Sequence, residues 1–112
     1  MSNSLVAGAV NQTERRRSHR FLCDFDIAIE WGAAKLRGVV REISIEGMFV
    51  ELSEPLWIGA RFAAQMALDK PVDLDCVVCR VEPRRGMGLT FAASQESGRT
   101  AISSLLQRLA DG

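Results

Sequence analysis

Asp24-Phe25-Asp26-Ile27-Ala28-Ile29-Glu30-Trp31 alternates apolar side chains (Phe25, Ile27, Ile29, Trp31) with mostly polar ones. Successive side chains of a β-strand point to opposite faces, so this period of two predicts a strand with one dry and one wet face. Working outward, Gly32-Ala33-Ala34 reads as a turn into a second strand, Lys35 to about Ile43, where Leu36, Gly38 and Val40 alternate with Lys35, Arg37, Val39 and Arg41. Met48-Phe49-Val50-Glu51-Leu52 is a third strand, closed by Ser53-Glu54-Pro55, because proline has no N–H to give a ladder. Arg61 to Leu68 sets Phe62, Ala64, Met66 and Leu68 in register as a fourth strand, although its alanines would also suit a helix. Val72 to Val81 changes parity: Leu74 and Cys76 share one face, Val77, Cys79 and Val81 the other. That change predicts a bulge, or a strand buried on both sides by barrel curvature. Pro83-Arg84-Arg85-Gly86 turns into a sixth strand, Met87-Gly88-Leu89-Thr90-Phe91. The period then becomes helical: Ile102, Leu105, Leu106 and Leu109 fall at i, i+3, i+4 and i+7, with Ser94 as the expected N-cap.

Six short antiparallel strands and one terminal helix describe an all-β fold with a C-terminal helix, a small barrel whose closure removes exposed sheet edges. The helix stripe is expected to cover a barrel mouth, and an OB-like barrel is the structural rival. At 112 residues the chain makes one domain. Residues 1–13 read as a flexible tail and 14–112 as the domain: an arginine arm at 14–20, the barrel at 21–93 and the helix at 95–110. Lys+Arg 14 against Asp+Glu 14 leaves no net charge, so any anion site is local and no broad basic face for DNA is expected. Asp69, Asp73 and Asp75 further oppose a nucleic-acid groove, and few aromatics are available for base stacking. No apolar run approaches the roughly 18 residues that span a bilayer, and the first residues lack signal-peptide character, so a cytoplasmic protein with no membrane partner is expected.

Glu14-Arg15-Arg16-Arg17-Ser18-His19-Arg20 concentrates four guanidiniums just ahead of the first strand. A guanidinium grips carboxylate or phosphate through a planar fork, pairs with the O6/N7 edge of guanine and stacks on flat rings. Taken alone, such a run also reads as a solvated arm. A second polar cluster, Glu42-Ile43-Ser44-Ile45-Glu46-Gly47, falls at the turn between strands two and three. Its carboxylate, hydroxyl and glycine put polar groups on one edge and leave room where a ring could approach the backbone. Cys76-Val77-Val78-Cys79 has metal and redox spacing but lies in an apolar strand, with only Cys23 and His19 as further ligands. The three cysteines are therefore read as free thiols, those of the strand as small core residues, with no metal and no cofactor. No base stands beside a candidate nucleophile and the single histidine lies in the arm, so no enzyme is expected.

Arg16-x-x-x-Arg20 before the first strand, Glu42-x-Ser44-x-x-Gly47 between the second and third, and the late strand Gly86-Met87-Gly88-Leu89-Thr90-Phe91 together resemble the PilZ domain family. The resemblance covers about Arg15 to Leu109. It implies a six-stranded antiparallel barrel that binds the bacterial messenger cyclic di-GMP. It also implies that Arg16 and Arg20 grip the phosphates and guanine edges, with Arg15 or Arg17 assisting, while Ser44 and Gly47 line the barrel surface beneath the ligand. Arg15, just ahead of the motif, implies two ligands per chain. Glu42 stands where the family carries Asp or Asn; the extra methylene costs of order 0.5–1 kcal/mol in frozen torsion. Two readings follow from the resemblance. One is a cyclic di-GMP receptor whose arm folds on binding and signals to an unidentified downstream protein; the other is an adaptor of this family that no longer binds the nucleotide.

Overall fold

A computed structural model of the protein describes residues 19–92 and 96–111. Its elements run β1 (Phe21–Trp31), β2 (Ala34–Ile43), β3 (Gly47–Glu51), β4 (Arg61–Met66), β5 (Val72–Glu82), β6 (Gly86–Phe91) and α1 (Glu96–Asp111). The six strands close into an antiparallel barrel in the order β1-β2-β3-β6-β5-β4, with β4 returning to β1. The opening alternation is one-sided as expected: Ile27 and Ile29 are buried while Asp26 and Glu30 are not. On β4, Phe62, Ala64 and Met66 are buried and Arg61, Ala63 and Gln65 exposed, so the alanines follow the strand period. The inward side chains of all six strands merge into one apolar cluster that also contains Leu56 and Ala60 from the β3–β4 connection and Ile102 and Leu105 from α1. Side chains fill a barrel of this size completely. The helix stripe packs on β5 and β1 and shares a groove with Ile45 and Glu46. It therefore lies at the barrel end that carries the β2–β3 turn.

Some expectations shift. The third strand begins at Gly47 and the fourth ends at Met66, where Leu68 N–H already turns back to the Met66 carbonyl at 3.1 Å. The parity change in β5 falls later than its apolar residues suggest. Leu74, Cys76 and Val78 all face inward, and the irregularity sits between Val78 and Arg80. Cys79 is consequently exposed, and the expectation of a core role holds only for Cys76, which is buried. An extra residue inserted into one strand forces this outcome whatever its hydropathy. With Cys76 inside the barrel and Cys79 outside, the C-x-x-C spacing brings no shared site together. The tail at 1–13, Arg15, Arg16 and Arg17 of the arm, and Ser94 as N-cap lie outside the described residues. Among those described, no helix is long and apolar enough to cross a membrane.

Candidate ligand groove

Two bulges shape one outer face of the barrel. On β2, Val40 pairs with Val50 and Glu42 with Phe49, leaving Arg41 as the extra residue. On β5, Val78 pairs with Leu89 and Arg80 with Gly88, leaving Cys79 extra. Without these insertions the period of two would carry Glu42 inward after Val40, and Arg80 inward after Val78. Each bulge instead turns a charged side chain outward, a common use of bulges beside binding sites. The register then aligns Glu42, Phe49, Gly88 and Arg80 across β2, β3, β6 and β5. Gly88 puts no side chain in the middle of that row, and the Arg80 side chain lies across it. Together with Arg20, Ser44, Gly47, Cys79 and Thr90 these residues line an open groove of about 320 Å³.

The described end of the arm meets this groove. His19 sets its ring edge against Phe21, with centroids 4.6 Å apart. Arg20 follows and places Nη1 3.6 Å from Glu42 Oε1. Both side chains remain partly open to solvent, so the pair itself contributes at most about 1 kcal/mol. Its consequence is positional: a guanidinium and a carboxylate stand at one end of the groove.

Ser44 and Gly47 hold the turn beside them. Ser44 is 6% exposed, and its hydroxyl accepts from the Glu46 and Gly47 N–H groups at 3.2 and 3.3 Å and donates to the Gly47 carbonyl at 3.3 Å. The Ser44 N–H donates to the same carbonyl at 2.8 Å. Such a side chain closing on its own backbone replaces the ladder bonds that the turn gives up. The three-residue step from Ser44 to Gly47 is thus the span of this closed turn. The absence of a side chain at Gly47 serves the neighbouring strand, since a Cβ there would run into the Leu89 carbonyl of β6. The close approach of two strands therefore requires a glycine here whatever lies over the turn. Phe91 N–H, bonded at 3.0 Å to the Glu46 carbonyl, ties the turn to β6 as well.

Arg80 and Phe49 join the groove from outside the sequence motifs. Arg80 lies with its guanidinium carbon 5.6 Å from the centroid of the Phe49 ring and lines the groove opposite Arg20. A lone arginine in an apolar strand carries no signal by spacing, because only the bulge brings it to this face. Arg41, by contrast, is occupied. Its Nε and Nη2 lie 3.0 and 2.9 Å from Glu51, and the hydrogen bond and charge of Glu51 push the guanidinium pKa further up. The groove therefore offers two guanidiniums at opposite ends, a carboxylate and an aromatic ring. That set suits a planar, anionic ligand with hydrogen-bonding edges. Among the described residues no cluster of three or more metal-ligating side chains forms.

None of the curated proteins compared by sequence matches this chain. Among solved structures, the PilZ domain of YcgR from Escherichia coli, determined with c-di-GMP, superposes with a TM-score of 0.74 at 16% identity, covering 87% of this chain and 92% of that one. The PilZ domain of CeSA from a cellulose-synthesizing bacterium gives 0.67 at 19% identity over 83% and 99% of the two chains. The motility inhibitor MotI (DgrA) of Bacillus subtilis gives 0.70 at 20% identity, and this chain covers 87% of itself but only 52% of that protein. Likeness at these identities speaks for the fold. The model of the PilZ domain family matches residues 14–108, a span that takes in the arginine arm, the Ser44–Gly47 turn and the whole barrel, and the chain therefore belongs to the PilZ domain family.

Proposed function

We propose that this protein is a cyclic di-GMP receptor whose ligand lies in the groove between Arg20 and Arg80. The observation that carries the reading is the convergence of Arg20 with Glu42, Ser44 and Gly47, residues from two separated stretches of chain, on one groove. Membership of the family and the c-di-GMP complex of a structurally similar domain support the choice of ligand. In this reading Arg16 and Arg20 bind phosphates and guanine edges, and Arg15 and Arg17 add further guanidinium contacts. Glu42 accepts the paired N–H groups of a guanine, and the Ser44–Gly47 turn supplies the surface beneath it. The chain acts as a binding module and performs no catalysis.

Four guanidiniums within six residues repel one another, so a dianionic ligand that cancels their charge favours folding the arm onto the barrel. Ordering costs about 1–2 kcal/mol per residue fixed, so the ligand must bridge arm and barrel for the step to proceed. The surface made by clamped arm and ligand is then what a downstream protein reads. Isothermal calorimetry with cyclic di-GMP is the test. Wild-type protein is expected to bind, with two ligands per chain at the endpoint, and Arg16→Ala or Arg20→Ala to abolish binding while the thermal midpoint stays within about 2 °C of wild type. Trypsin cleavage after Arg15, Arg16, Arg17 and Arg20 is expected to slow strongly with ligand. Absence of binding heat at high ligand concentration would leave the adaptor reading in its place, and unchanged cleavage at saturation would remove the arm as the switch.

A further inference from the structure

We infer that Arg80 is a second ligand-binding guanidinium, one that engages a guanine ring of the ligand through its flat face at the end of the groove opposite the arginine arm. The inference rests on the functional reading above and adds a residue outside both sequence motifs.

Position comes first. Cys79 is the extra residue of a two-against-one bulge, and that insertion alone turns Arg80 out of the barrel interior. A guanidinium cannot enter so apolar a core without a large desolvation cost, so an arginine at this position requires the bulge. The glycine across the ladder gives this side chain room to lie flat. Gly88 lies directly across the ladder, and a Cβ placed there would meet the Cβ, Nε and Cζ of Arg80 at 3.4, 3.6 and 3.8 Å. The side chain therefore lies along the bare glycine toward Phe49, whose ring supports it at 5.6 Å. Phe49 backs one side of the guanidinium, and the groove continues from there to Glu42 and Arg20.

Charge argues in the same direction. The carboxylate near Arg80 is Glu82, at 3.4 Å, but Glu82 also pairs at 3.0 Å with Arg85. One carboxylate shared between two guanidiniums leaves a local excess of positive charge, and half of the Arg80 side chain stays open to solvent. Arg41 shows the contrast, with both Glu51 and Asp24 within ion-pair range. Arg80 thus retains donors and a flat face for an incoming anionic, planar group, which an ammonium would not supply.

The test compares wild type, Arg80→Ala and Arg80→Lys by calorimetry with cyclic di-GMP, each variant first checked by thermal unfolding. Arg80→Ala is expected to weaken binding tenfold or more with an unchanged midpoint, since the side chain is outside the core. Arg80→Lys, which keeps charge and loses the plane, is expected to fall within about threefold of Arg80→Ala. A lysine variant that recovers wild-type affinity would overturn the flat-face contact, and an alanine variant that binds as wild type would overturn the role of Arg80 while the receptor reading stands. Absence of binding by wild type itself would remove the receptor reading and the assignment of Arg80 with it.

Discussion

Three thiols within one small barrel have three different environments. Cys76 is buried, and desolvation, followed by the charge of Asp75, pushes its pKa up to about 12. Cys23 is half-buried and donates to the Val40 carbonyl at 3.4 Å; desolvation, then Asp24 and Glu42, raise its pKa to about 11 against a small opposing effect of Arg41. Cys79 is exposed on the groove face, with its sulfur 3.3 Å from the Gly88 carbonyl. Thiolate is the reactive form, so iodoacetamide near pH 8 is expected to modify Cys79 well before the other two, as mass spectrometry of tryptic peptides would show. Equal labelling of Cys76 in folded protein would contradict its position. The same shifts link stability to pH. Both folded pKa values lie above the ordinary thiol value of 9.0, so the fold favours the neutral thiols. Their contribution is complete below pH 9 and is lost as pH rises through the window from 9 to about 12, where the unfolded chain ionises first. Thermal midpoints should decline across that window, and Cys76→Ala should start lower but decline less steeply.

At the scale of elements, the groove exists because strands depart from regular pairing. The insertions at Arg41 and Cys79 aim Glu42 and Arg80, and the approach of β3 to β6 requires a bare Gly47. Two glycines on the same face therefore answer differently to one added methyl. At Gly47 the methyl meets the Leu89 backbone carbonyl, which cannot yield without separating the strands, so Gly47→Ala is expected to cost at least about 2–3 kcal/mol in urea unfolding. At Gly88 the nearest atom is the Arg80 side chain at 3.4 Å, which can rotate away, so Gly88→Ala is expected to change stability by less than about 1 kcal/mol while narrowing the groove floor. Equal costs at the two positions would mean that the strand approach at Gly47 is looser than its geometry indicates. Alternation marked the six strands along the chain, and the parity change in β5 signalled a bulge. It could not place that bulge, because Val77, Val78 and Cys79 are all acceptable on either face, and the choice is made by which ladder partner each residue meets on β6.

For the molecule as a whole, equal numbers of acidic and basic residues mean that no general field attracts anions, and the groove must act through its own few charges. Affinity for cyclic di-GMP is therefore expected to fall by less than about tenfold between 50 and 200 mM salt, whereas a polyanion held through six or more phosphates would lose about a thousandfold or more. Calorimetry across that salt range reads the difference, and a steep loss would point to a nucleic-acid backbone as the partner. The sequence by itself determined the strand count, the terminal helix and the two motif stretches, since period, turn chemistry and motif spacing are local properties written along the chain. Tertiary structure alone decided that Arg20 faces Glu42, that Ser44 locks a turn, that Gly47 yields to Leu89, and that Arg80 and Phe49 join the groove. Those relations depend on barrel closure and on register across β2, β3, β6 and β5, where one inserted residue moves a side chain from core to surface, and pairing partners far apart in the chain leave no local trace of that choice.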